Sequence, residues 1–240
     1  MDNRKDLEVM RRIPALLLLS CTLNAGAQTT LTNQRLFDTV PFIPEHGAAR
    51  IALFRSEPVC TGCTVFLGNS ITEAGDWKAL TGDVKTLNRG IGGDITFGML
   101  KRLDEVLRHK PGKVFLLIGV NDIGKDIPPA VIADNIGRII QRIRAASPDT
   151  RLVLQTVLPV NPEVEGFPQH YDKPDKILSV NRLLVKVAEK EKVELVDLHR
   201  LFSDGKGRLR AELTNDGLHL DTRGSGYREW VGHLRKKGFL

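Results

Sequence analysis

The sequence predicts an α/β protein, a three-layer α/β/α sandwich around a five-stranded parallel sheet. Five apolar runs bounded by turn residues recur along it: CTVFLG (63–68), VKTLNRG (84–90), KVFLLIG (113–119), RLVLQTV (151–157) and VELVDL (193–198). Segments of helical period lie between them. The runs are continuous rather than alternating, as strands buried on both faces are, and such strands form parallel sheets covered by helices on each side.

The first stretch to account for is MRRIPALLLLSCTLNAGAQ (10–28). Two arginines, an apolar run from Ile13 to Leu23 and small residues at Ala25 and Ala27 have the layout of a secretory signal cleaved after Ala27. Residues 1–27 are therefore assigned to a leader, with Met10 the more natural initiator because the residues before it add acidic side chains. The tetrapeptide LLSC also allows a lipoprotein in which Cys21 is lipidated and retained, and a buried N-terminal helix is the third alternative. Secretion or a periplasmic location is the expectation. Residues 28–59 read as a lead-in segment and 60–240 as one domain.

That domain opens on Cys60 and Cys63, the two cysteines left after the leader. A zinc site would need a second ligand pair, and a thioredoxin-like pair would follow a strand rather than precede one. A small disulfide or two loop thiols is expected instead. Helical period is clearest in Ala130 to Ala146, where Val131, Ile132, Ile136, Ile139, Ile140 and Ile143 return every three or four residues, and it recurs in Phe97 to His109 and Ile177 to Lys192. Prolines and a glycine break the period in LPVNPEVEGFPQHYDKPDK (158–176), and a long loop of this kind is a candidate binding loop.

Charge and composition exclude some partners. The 35 Lys and Arg against 29 Asp and Glu leave a formal +6, spread along the chain, and only 5% of residues are aromatic. Nucleic-acid binding would call for a basic stripe with stacking rings, so none is expected. No apolar run after the leader reaches the roughly 20 residues that cross a bilayer, so no membrane span is expected either.

In an open parallel sheet, ligands bind beyond the carboxyl ends of the strands. Four polar clusters fall there: GNSIT (68–72), GIGGD (90–94), GVND (119–122) and DGLHLD (216–221). A serine hydroxyl at neutral pH needs a neighbouring base, and an imidazole needs an acceptor on its far nitrogen. Ser70 supplies the hydroxyl; Asp216 and His219, three apart and expected on one face of a helical turn, supply the pair. Developing negative charge on a carbonyl oxygen then requires fixed donors, and the N–H groups of Ser70 and Gly93 with the Asn121 side chain could provide them.

The same four clusters resemble, in order and spacing, the signature blocks of the SGNH (GDSL) hydrolase superfamily. NRGIGGDIT with DGLHLD is most similar to the branch of platelet-activating-factor acetylhydrolase catalytic subunits and sialate O-acetylesterase-like proteins. The resemblance covers about residues 60–235 and implies a flavodoxin-like hydrolase domain. It makes Ser70 the nucleophile, Asp216 and His219 the rest of the triad, and Ser70, Gly93 and Asn121 the oxyanion hole. No metal or other cofactor is implied. Asn69 departs from the family, which more often has Asp before the nucleophile. Asp94 and Asp122 are read as loop braces and His170 as a substrate contact.

Competing readings attach to several of these residues. Ser70 with Glu73 fits a capping box. GIGGD lacks the last glycine of a phosphate loop, since Ile95 stands in its place. Asp197 and His199 form a rival pair, ranked lower because no oxyanion donors accompany it. His46, His109 and His233 are expected to be ordinary surface or packing residues. The expected activity is hydrolysis of short-chain acyl esters, acetyl foremost, on carbohydrate. A lysophospholipase or other lipid-ester hydrolase is the alternative enzyme, and a non-catalytic glycan-binding protein the alternative of another class. Oligomeric state is left open.

Overall fold

Each apolar run becomes a strand, and all five pair in parallel in the order β2-β1-β3-β4-β5. The strands are β1 (Thr64–Gly68), β2 (Thr86–Gly90), β3 (Lys113–Leu117), β4 (Arg151–Gln155) and β5 (Glu194–Val196). This computed structural model describes residues 42–164 and 166–240. The leader, with Met10, Cys21 and Ala27, and the first part of the lead-in lie outside the described residues.

The order is the flavodoxin-like one, whose chain reverses direction across the sheet between β1 and β3. Right-handed crossovers then place the β2–β3, β3–β4 and β4–β5 helices on one face and the β1–β2 helices on the other. The first group comprises α4 (Thr96–Leu107), α6 (Pro129–Ala146) and α8 (Pro174–Glu191), with α4 packed on α6 and α6 on α8. The second includes α2 (Ser70–Glu73) and α3 (Trp77–Thr81). Ile132, Ile136, Ile139, Ile140 and Ile143 are all buried, as their period requires. Pro129 and Pro174 sit in the first turns of α6 and α8, where a missing N–H costs nothing, so prolines that interrupt the sequence pattern here begin helices.

Helix α1 (Pro44–Ser56) has no counterpart in the sequence reading. It falls within the lead-in and buries only Gly47 and Phe54, too few for an apolar stripe. It is held instead by contacts to α4 and by Arg50, which donates to Gly90 O at 3.2 Å.

The short helices α5 (Val120–Gly124), α7 (Pro168–Tyr171) and α9 (Leu198–Phe202) follow β3, β4 and β5, and α10 (Gly226–Lys236) closes the chain. An aromatic stack fills the β1 side of the core. Phe66 lies flat on Trp77 with centroids 3.8 Å apart and next to Phe115 at 4.7 Å, while Trp230 meets Trp77 edge-on at 5.0 Å. The polar atoms of the stack are satisfied: Trp77 Nε1 donates to Thr72 O, Trp230 Nε1 to Gln155 Oε1 and Tyr227 Oη to Ile71 O, at 2.7, 2.7 and 2.8 Å. The turn after β1 is thereby fastened to the last helix.

Candidate active site

Three strand ends are level. Gly68 of β1 pairs with Gly90 of β2 and with Leu117 of β3, so Ser70, Gly93 and Asn121 stand two to four residues beyond one rung of adjacent strands. Gly90 has no room for a side chain because the end of α2 presses against it, with the Glu73 Cα 2.5 Å from where a Cβ would be. That contact brings α2 down onto β2.

Asn69, not Ser70, caps α2: its Oδ1 accepts from the Ile71 N–H at 3.1 Å. An aspartate there would cap equally well, so the asparagine keeps this cap. Glu73 does not close a capping box on a serine. It accepts from the Gly92 N–H at 2.5 Å and pairs with Arg50 Nε at 3.2 Å and His46 Nε2 at 3.0 Å, tying α2 to the glycine loop and to α1. The Ser70 hydroxyl is instead 2.8 Å from His219 Nε2.

Asp216 and His219 lie in a bend, not in the helical turn the spacing suggested. Gly217 adopts φ +74°, a conformation that favours glycine, and so turns the chain back on the aspartate. Asp216 Oδ1 accepts from the N–H groups of Leu218 (2.9 Å) and His219 (2.8 Å), leaving Oδ2 for His219 Nδ1 at 2.7 Å. Burial pushes the Asp216 carboxyl up, but these hydrogen bonds and the imidazole outweigh it and hold it below its usual range. With Nδ1–H donated to the carboxylate, Nε2 presents a lone pair to the serine hydroxyl.

In the loop after β2, Gly93 takes φ +75°, and among the described residues no acceptor takes its N–H. Asn121 Nδ2 donates to Asp94 O at 2.9 Å, linking the loops after β2 and β3. Asp94 and Asp122 sit behind these donors. Buried Asp94 pairs with Arg102 Nε at 2.8 Å, and that guanidinium also donates to Gly68 O and Arg89 O at 3.0 and 3.1 Å. One arginine thus holds the ends of β1 and β2 and the glycine loop. Burial raises the Asp94 carboxyl, opposed by Arg102. Asp122, fully buried, accepts from Thr96 Oγ1 at 2.5 Å and Thr96 N at 3.0 Å, and burial pushes it up to about 7 against those bonds.

The family model for GDSL-like lipases and acylhydrolases matches residues 66–226. The chain belongs to that family, and it is an ester hydrolase. It is 29% identical over 206 residues to Esterase TesA of Pseudomonas aeruginosa, covering 85% of this chain and 89% of that one. It is 28% identical over 169 residues to the platelet-activating factor acetylhydrolase IB subunit alpha2 of Rattus norvegicus, covering 68% and 70%. A solved structure from Streptococcus pneumonia, described as a platelet activating factor, superposes with a TM-score of 0.70 at 31% identity, covering 90% of this chain and 97% of that one.

Within this GDSL-family hydrolase, the rival pair is not joined. Asp197 Oδ1 caps α9, accepting from Arg200 N at 3.0 Å and from Thr156 Oγ1 at 3.1 Å, while His199 Nδ1 meets Ser203 Oγ at 3.3 Å. His170 is 3% exposed, with Nε2 3.3 Å from Asn121 Oδ1. His109 is buried: its Nδ1 accepts from Cys60 N at 2.9 Å, and its Nε2 lies 3.2 Å from Glu105. His46, expected to have no special partner, holds Glu73. Cys60 and Cys63 are free thiols, with burial pushing Cys63 up to about 12.

Sequence reasoning missed the residues that surround Ser70, His219 and Asp216. Phe167 meets the His219 ring edge-on at 5.1 Å, Tyr171 Oη donates to Asp216 O, and Phe42 donates its N–H to Gly93 O at 3.1 Å. The aromatic residues within 158–176 were the only available signal. Among the described residues, no group of three or more His, Cys, Asp or Glu side chains is placed to hold a metal ion. Among them, too, no helix is long and apolar enough to cross a membrane.

Proposed function

We propose that this hydrolase is an exported serine esterase that removes short acyl groups, acetyl foremost, from carbohydrate. Ser70 is the nucleophile, His219 the general base and Asp216 the residue that orients it. The observation that carries this reading is the unbroken relay from Ser70 Oγ to His219 Nε2 at 2.8 Å and from His219 Nδ1 to Asp216 Oδ2 at 2.7 Å.

His219 Nε2 takes the hydroxyl proton as Ser70 Oγ attacks the ester carbonyl, and the carbonyl oxygen gains negative charge in a tetrahedral intermediate. The N–H groups of Ser70 and Gly93 and the Asn121 amide receive that charge; a single such donor is worth about 3 to 4 kcal/mol in a characterised serine protease. Collapse breaks the bond to the alcohol oxygen, which takes the proton from His219. Water, deprotonated by His219, then attacks the acyl-serine, and a second collapse frees the acid and restores the Ser70 hydroxyl. Asp94 and Asp122 fix the loops that carry the donors.

The short-acyl reading is supported by crowding at Gly93. A Cβ there would stand 3.1 Å from Ile43 N and 3.2 Å from Phe42 Cβ, so this segment walls one side of the donor loop. It is also supported by a relative named an acetylhydrolase. The predicted leader supports export, and with it a glycan substrate.

A fluorophosphonate probe tests the relay: it should label the wild type and not Ser70→Ala, and absence of label in both would favour a glycan-binding protein. Acetate release from acetylated sialic acids and plant or bacterial polysaccharides tests the substrate. Faster turnover of long-chain than short-chain p-nitrophenyl esters would overturn the short-acyl assignment in favour of a lipid ester.

A further inference from the structure

The Asn121 side chain is fixed at both ends. Its Nδ2 donates one hydrogen to Asp94 O at 2.9 Å, and its Oδ1 accepts from His170 Nε2 at 3.3 Å. Rotating the amide by half a turn would set NH2 against the imidazole N–H and oxygen against the Asp94 carbonyl, two repulsive contacts. Only one orientation survives, and it leaves the second Nδ2 hydrogen for the substrate.

The imidazole is itself held. A Cβ on Gly124 would lie 2.6 Å from His170 Nε2, so the ring fills the space that this glycine leaves. Phe42 and Phe167 flank it, with centroids at 5.8 and 6.1 Å. Its buried Nδ1 has no partner among the described residues, so a proton there would be unsatisfied, and the Nε2–H tautomer is the one that fits.

We propose that His170 is a positioning residue that locks the Asn121 amide with its remaining hydrogen directed at the oxyanion. This rests on the serine-esterase reading above. His170 comes from α7, within the irregular stretch after β4, so the device ties the oxyanion hole to a segment that carries none of the four sequence blocks.

The test uses the full chain with p-nitrophenyl acetate. His170→Phe should lower kcat about tenfold with KM within twofold of wild type, and His170→Gln, whose amide can donate to the same Oδ1, should recover most of the loss. In an Asn121→Ala background, His170→Phe should cause no further loss, because the group it positions is gone. Gly124→Ala, which displaces the ring without altering it, should reproduce the kcat effect and guards against a His170→Phe chain that fails to fold. An equal loss from His170→Phe in the Asn121→Ala background, no rescue by Gln, or a raised KM at unchanged kcat would overturn the proposal. The last result would make His170 a substrate contact. Ser70→Ala distinguishes the parent reading: activity retained in that variant sinks the esterase mechanism and this proposal with it, whereas Ser70→Ala inactivity with additive His170 effects sinks only the positioning role.

Discussion

Asp216 and His219 share a 2.7 Å hydrogen bond, whereas Asp197 and His199, just as close in sequence, bond to other groups. The difference lies in where the backbone carries the imidazole: His219 reaches the aspartate, whereas His199 lies in helix α9 and meets Ser203. At Asp197 a helix begins, and the carboxylate oxygen nearest the chain is taken by the first-turn N–H of Arg200 and by Thr156. At Asp216 the chain bends at Gly217, two N–H groups converge on Oδ1, and the second oxygen is left facing the imidazole. At both sites one carboxylate oxygen is taken and the other left free, so an acid and a base near each other in sequence are joined only where the backbone carries the imidazole round to that free oxygen, as the bend at Gly217 does and helix α9 does not.

The largest expected effect separates the two histidines. His219→Ala should reduce kcat on p-nitrophenyl acetate by about 10⁴-fold or more, the scale of losing a triad base, while His199→Ala leaves it within twofold. Asp216→Asn should cost about 10⁴-fold in kcat at neutral pH with the fold retained by circular dichroism, because the amide favours the wrong imidazole tautomer; equal activity in that variant would erase the distinction drawn above.

Two buried groups near the site should give pH slopes of opposite sign. His170 is pushed down to about 4 by burial and by the charges of Lys173 and His219, below an ordinary value near 6.5. Between those pH values the unfolded chain holds more protons than the folded one, so this histidine makes stability rise with pH and fall on acidification. Asp122 is raised to about 7 by burial, so from about pH 4 to 7 the folded chain holds the extra proton and stability falls as pH rises. Urea unfolding across pH 4 to 7 should show a steeper upward slope in Asp122→Asn and a flatter one in His170→Phe, each differing from wild type by on the order of a few kcal/mol over the window. Smallest of all, Asp197→Ala should cost about 1 kcal/mol of stability, the worth of an N-cap, without lowering kcat.

The fold was readable because strands buried on both faces leave continuous apolar runs, and all five runs proved to be strands. The site blocks were readable for a related reason: each sits in the few residues after a strand, where the topology alone brings Ser70, Gly93 and Asn121 to one rim. What escaped is set by contacts between distant segments. Glu73 has the spacing of a capping residue, yet its partners are Gly92, Arg50 and His46, none of which local sequence can announce. Helix α1 lacks an apolar stripe and exists through its partners. His170 reads as a substrate contact in a long loop; only the fold puts Asn121 against it. The bend at 216–219 reads as a helical turn because a spacing of three suits both, and Gly217 is the residue that tells them apart.

The stack of Phe66, Trp77 and Trp230, with Tyr227 bonded to Ile71, bears on how the enzyme is made. A nascent chain that has not yet emerged past residue 230 leaves Phe66 and Trp77 without the rings of Tyr227 and Trp230 beside the serine turn. Competence therefore arrives late on the ribosome, with the closing helix, and a prematurely terminated product is a candidate for aggregation rather than for partial activity.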